Sequence, residues 1–224
     1  MIYETYFVSM FTTFIIGNYY KLSSLKIYNI FTLILSLNVY IFYDVPLMYN
    51  YEYLISSIQP YEHIKQLTQC LISYLVIDVL FNPNIEKQLI FHHINVIITL
   101  IISLFGNNIG VANNCIISEI STIWLSIIII ISDTELLILK KIKNVCMLLF
   151  TITFIKYRII PCIMMTISII NNIEYITISN INIIHALTGI IHSGLQYYWF
   201  ILLMNKLYNI LHKQMYNSIK IKKK

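Results

Sequence analysis

Two adjacent histidines, His92 and His93, sit inside the run Leu89-Ile90-Phe91-His92-His93-Ile94-Asn95-Val96-Ile97-Ile98. Polar side chains in so apolar a setting are costly and seldom accidental. Asp78 precedes them by a short connection, Asn82–Gln88, which makes the two flanking segments antiparallel neighbours. Counting about 1.5 Å of rise per residue puts Asp78 and the histidines at one depth. A carboxylate against an imidazole orients the ring, as a general base or a nucleophilic histidine requires. His92, His93 and Asp78 are therefore the candidate catalytic residues. Neighbouring helical residues diverge by about 100°, so one histidine can face a cavity while the other packs. A metal is a poor fit, because helical metal pairs take i, i+3 or i, i+4 spacing. No metal and no cofactor is expected.

Further polar positions recur inside apolar segments. Cys115, Glu119, Thr122 and Ser126 share one helical face. Arg158 lies three residues before Pro161 and needs a counter-charge; Glu119 is the acid at matching depth, so a Glu119–Arg158 pair is expected. Lys156 points elsewhere and is free to snorkel. His185, Thr188, His192, Gln196 and Trp199 form a single inward stripe, with Gly189 and Gly194 admitting a close neighbour. Pro161 is expected to open its helix locally and free a carbonyl. Glu119, Arg158, His185, His192 and Gln196 are the candidate substrate-binding residues, lining a polar cavity.

The elements that must hold these residues are apolar helices. The chain has 224 residues, 58% hydrophobic and 11% charged, against roughly a quarter charged in soluble domains. Seven segments are long enough to span: Ile2–Ile16, Ile27–Tyr43, Leu67–Phe81, Leu89–Phe105, Val111–Ile131, Val145–Ile170 and Ile183–Leu207. In lipid each backbone polar group needs an internal partner, so unalternating segments of this length are helices. The expected fold is all-α, a polytopic transmembrane helix bundle of six to seven helices. The expected organisation is residues 1–64 as N-terminal helices with an outer loop, 65–210 as a transmembrane core, and 211–224 as a basic cytosolic tail. The first segment carries Glu4 and no cleavage site follows it, so it reads as a retained helix.

Lysine placement sets the orientation. With the N-terminus outside, Lys21, Lys26, Lys87, Lys140, Lys141, Lys143, Lys206, Lys213, Lys220, Lys222, Lys223 and Lys224 lie inside and Lys65 alone lies outside. That positive-inside bias favours N-out/C-in. The ending Lys220-Ile221-Lys222-Lys223-Lys224 has the K-x-K-x-x pattern of an endoplasmic reticulum retrieval signal; a basic tail against anionic lipid fits it equally. The four cysteines fall in apolar segments without a C-x-x-C pair and read as buried free thiols. There is no phosphate loop and no basic-aromatic stripe, so no nucleic acid is expected.

Five pieces in order resemble the TLC-domain family of multi-pass membrane proteins, over roughly residues 65–210. They are Ser73-Tyr74-Leu75-Val76-Ile77-Asp78, Phe91-His92-His93-Ile94, Ser118-Glu119-Ile120-Ser121-Thr122-Ile123-Trp124-Leu125, Phe154 with Arg158, and Gln196-Tyr197-Tyr198-Trp199-Phe200. The family includes ceramide synthases, which carry an H-D-x-x-D motif downstream of the histidine pair. This sequence lacks that motif and is more similar to the small non-synthase members. The resemblance implies an integral membrane protein of the endoplasmic reticulum involved in lipid metabolism, lipid sensing or membrane composition. Its implied partner is membrane lipid, with an acyl-CoA or fatty acyl lipid if it transfers an acyl group. The competing reading is a non-catalytic ER cargo-sorting factor that binds membrane proteins. A seven-helix receptor or transporter fits less well, since no paired broken helices are apparent.

Overall fold

The computed structural model describes residues 24–42, 62–81, 85–106, 110–132, 136–176 and 180–222. The first expected segment, most of the stretch 44–66 where the outer loop is expected, and the terminal Lys223-Lys224 lie outside these described residues. The described part is all-α. Its elements are α1 (Ser24–Phe42), α2 (Glu62–Phe81), α3 (Lys87–Gly106), α4 (Gly110–Ile130), α5 (Leu137–Phe154), one wide π turn (Ile155–Ile159), α6 (Ile160–Asn171), a single turn α7 (Ile173–Ile176) and α8 (Asn180–Lys222).

Six of the expected segments are thus helices, and three run well beyond their apolar stretches, the expected Leu67–Phe81 beginning at Glu62. The expected Val145–Ile170 begins at Leu137. The expected Ile183–Leu207 continues to Lys222, giving 43 residues, about 64 Å at helical rise. Two helices among the described residues, Lys87–Phe105 and Leu137–Asn171, are long and apolar enough to cross a membrane. Asn29–Ile41 and Asn114–Ile130 are apolar but shorter. α2 and α8 interrupt their apolar stretches with polar residues: Glu62, Lys65, Gln69 and Asp78 on the first, three histidines and several lysines on the second.

α4 lies centrally, packed against α1, α3, α5 and the π turn, while α8 packs on α3 and α6, and α2 on α3. Phe31 and Leu35 of α1, Leu71 and Leu75 of α2, Leu100 of α3 and Ile116 and Ile120 of α4 form one apolar core. Phe150, Phe154, Ile159 and Leu203 form a second. Gly194 does not admit a close neighbour as expected: a Cβ there would meet nothing within 4 Å. Small residues elsewhere permit the tight contacts, with Ser36, Thr99, Ser121 and Ser126 fully buried. Several return their hydroxyl to their own helix, as Ser36 does to Thr32 O (2.8 Å) and Thr99 to Asn95 O (2.8 Å).

The distribution of polarity is inverted. Leu80, Phe91, Phe105, Leu137, Leu148, Ile170 and Ile201 are exposed, Phe105 at 86%. Asp78, His92, His93, Glu119, Arg158, His185, His192 and Gln196 are all buried.

Candidate functional site

The histidine pair opens in two directions. His93 faces α2: its Nδ1 stands 3.4 Å from Asp78 Oδ2, and its ring centroid lies 6.4 Å from that of Tyr74. The Asp78 contact is off the line of a hydrogen bond, since His93 Nδ1 has no partner of good geometry; it is a close electrostatic contact. His92 faces α8, with its ring 4.7 Å from Trp199 in an edge contact and 5.5 Å from His192. Its buried Nδ1 has no hydrogen-bond partner among the described residues. An unmet buried polar atom costs about 1–3 kcal/mol, so this nitrogen is a natural point for a bound molecule to engage.

Both histidines border a cavity of about 390 Å³. α1 contributes Asn29 and Thr32, α2 Tyr74 and Asp78, α4 Glu119 and Thr122, and the π turn Arg158. Leu125, Ile129, Phe150, Phe154, Trp199 and Leu203 supply an apolar wall. The cavity therefore draws on both sides of the expected division at residue 64.

Arg158 is held by neutral oxygens. Its Nε donates to Ser118 O (3.1 Å) and Ser121 Oγ (2.6 Å), its Nη1 to Gln196 Oε1 (3.2 Å) and its Nη2 to Thr122 Oγ1 (2.7 Å). Its guanidinium also lies 5.2 Å from the Phe154 ring centroid. The expected direct pair with Glu119 is absent among the described residues. Thr122 stands between them, its hydroxyl also hydrogen-bonded to the Glu119 carboxyl. The small residues of α4 let the guanidinium reach backbone and hydroxyl acceptors before it reaches the acid. The π turn presents Arg158 just ahead of Pro161, and Ile160 N–H closes it by bonding Ile155 O. Lys156 points away, is exposed, and lies 5.0 Å over the Tyr157 ring.

None of the other three expected lining residues borders the cavity. An arginine can only donate, so Gln196 must present its oxygen to Arg158 and its amide nitrogen to His192 Nε2, 3.3 Å away. His192 Nε2 is then an acceptor and the ring proton is on Nδ1, which faces Cys115 Sγ at 3.9 Å. His192 and Gln196 are struts that back His92 and Arg158. His185 lies elsewhere: its Nε2 is 2.7 Å from Ser103 Oγ. Ser103 gives its one proton to Thr99 O (2.8 Å), so His185 donates. With Asn95 Nδ2 bonding Thr188 O (3.1 Å), this contact clamps α3 to α8.

Sequence reasoning passed over Ser118 and Ser121 as Arg158 acceptors, although both lie within a turn of Glu119. It also passed over Thr32 and Asn29, which carry no signal beyond a polar residue in an apolar helix. Among the described residues, no group of three or more His, Cys, Asp or Glu side chains is placed to hold a metal ion. The class defined so far is an all-helical protein with an apolar exterior and a cavity lined by a histidine pair, acids and one arginine. Comparison with protein-family models, with curated proteins and with solved structures finds no match for the chain.

Proposed function

We propose that the chain is a multi-pass membrane protein of TLC type, resident in the endoplasmic reticulum, that acts on or senses membrane lipid at the His92–His93–Asp78 site. The observation that carries this reading is the inverted polarity: apolar residues face outward along most helices while the ionisable side chains are turned inward, several of them onto one cavity. In water such a surface drives association; in lipid it is the expected exterior. Helices shorter than a full span are accommodated where a bilayer thins or where their ends are buried. The cytosolic orientation of the tail follows from the lysine bias, and α8, longer than the roughly 30 Å apolar core of a bilayer, carries the chain out on that side.

The reaction that fits the cavity best is acyl transfer. His93, oriented by Asp78, takes the proton from an acceptor hydroxyl or amine. The freed lone pair attacks the acyl carbonyl carbon, whose oxygen gathers charge toward Arg158. Collapse breaks the bond to the leaving group, which departs with the proton. Lipid profiles of cells expressing the wild type or His92→Ala/His93→Ala, fed labelled fatty acid, test the reading. A changed profile in the wild type alone supports it; identical profiles argue against a lipid reaction. Appending two alanines after Lys224 separates the two readings of the tail: release from the endoplasmic reticulum follows if the lysines act as a retrieval signal, and an unchanged location if they lie against anionic lipid.

A further inference from the structure

Two buried side chains of opposite sign form the floor of the cavity without meeting. Arg158 and Glu119 are 8% and 9% exposed, and both line it. A guanidinium has five N–H donors. The bonds of Arg158 use its Nε–H and one N–H on each terminal nitrogen, so two N–H remain without an acceptor among the described residues. The Glu119 carboxyl is met by the Thr122 hydroxyl, which leaves acceptor capacity on its oxygens. Phe154, Phe150, Leu125 and Leu203 continue from this floor as an apolar wall.

The charges decide what can sit there. Guanidinium and carboxylate compensate one another across Thr122. A head of either charge would leave one of them repelled in a poorly screened site. An uncharged head that both accepts and donates satisfies both. We propose that this floor binds a one-chain lipid through a neutral head joining a carbonyl to a hydrogen-bond donor, as in a primary fatty amide or a protonated fatty acid. The carbonyl accepts from Arg158, the N–H or O–H donates to Glu119, and the chain lies along Phe150 and Leu203. The cavity volume, about 390 Å³, is near the small end of ligand pockets, roughly 300–1,000 Å³, and suits one chain rather than two. The proposal rests on the reading of this chain as a lipid-embedded membrane protein.

The test uses the full chain in phosphatidylcholine nanodiscs and tritiated hexadecanamide. Saturable binding is expected, displaced by unlabelled hexadecanamide and, if the acid is a second source of the head, by hexadecanoic acid. Methyl hexadecanoate keeps the carbonyl and lacks the donor, so it competes about tenfold less well or worse; hexadecyl sulfate and hexadecyltrimethylammonium, which add a charge, also compete poorly. Glu119→Gln keeps an acceptor and retains binding, whereas Glu119→Leu weakens it about tenfold or more. Phe150→Trp fills the cavity without touching the floor and abolishes binding at an unchanged melting temperature, which separates occupancy from folding. Absence of saturable binding, equal competition by the ester or the sulfate, or undiminished binding by Phe150→Trp would overturn the proposal. A histidine-dependent lipid profile without amide binding defeats this inference alone; amide binding with an unchanged lipid profile defeats only the proposed reaction.

Discussion

His93 and Asp78 meet at 3.4 Å across two antiparallel helices, while His92, one residue earlier, turns to Trp199 and His192. The pair is thus two residues with different neighbours. If Asp78 acts by orienting His93, the two substitutions report on one function. Asp78→Asn is expected to alter the labelled lipid profile as far as His93→Ala does, and the double variant no further. Additive losses in the double variant would show that the two act separately.

Part of this arrangement is legible in the sequence. Counting helical rise from the short α2–α3 connection puts Asp78 beside the histidines, and the long apolar runs mark all six long helices. The partners of Arg158 are not legible. A guanidinium seeks the nearest acceptors, and those are backbone and hydroxyl oxygens of Ser118, Ser121 and Thr122, which composition cannot rank above a carboxylate. The extent of α8 is hidden for a different reason: hydropathy marks where an apolar stretch stops, not where a helix stops, and residues beyond Leu207 continue the helix. The part α1 plays in the cavity is hidden because Asn29 and Thr32 are unremarkable residues in an Asn-rich chain.

Arg158 ties α4 to α8 and the π turn through four hydrogen bonds. Arg158→Leu leaves Ser121, Thr122 and Gln196 without their donor and is expected to destabilise the folded protein by about 3–5 kcal/mol. Gln196→Leu leaves Arg158 and His192 each short of a partner and costs about 1–3 kcal/mol. Because they share one network, the double variant should lose less than the two losses together. Denaturant titration in micelles measures this, and strict additivity would contradict a shared network.

Ser103 and His185 lie on the α3–α8 clamp, apart from the cavity. Ser103→Ala removes the acceptor for His185 and should lower stability by about 1–3 kcal/mol. The lipid profile of cells carrying it should match the wild type once expression is equalised. A profile resembling that of His92→Ala/His93→Ala would instead extend the functional site to this clamp.

The lysine bias makes an orientation testable without any assay of function. An Asn-x-Thr acceptor inserted after Tyr51 should be glycosylated, and one inserted after Lys222 should not. Modification at the second position would reverse the bundle and put the basic end of α8 in the lumen.

Gln196 sets the tautomer of His192, because Arg158 holds the amide oxygen and the amide nitrogen is left to face the ring. Selective nitrogen-15 labelling should show His192 protonated at Nδ1. Gln196→Glu keeps an acceptor for Arg158 but removes the one donor among the described residues toward His192 Nε2. The ring must then turn its own N–H to the new carboxylate, so its proton moves to Nε2 and the two nitrogen shifts exchange. The same change withdraws the Nδ1 proton from Cys115 Sγ, now 3.9 Å away, and a cysteine reagent such as a maleimide should register that altered contact at Cys115. An unchanged Nδ1–H signature in Gln196→Glu would mean that the tautomer is set by Cys115 and not by the Arg158–Gln196 link.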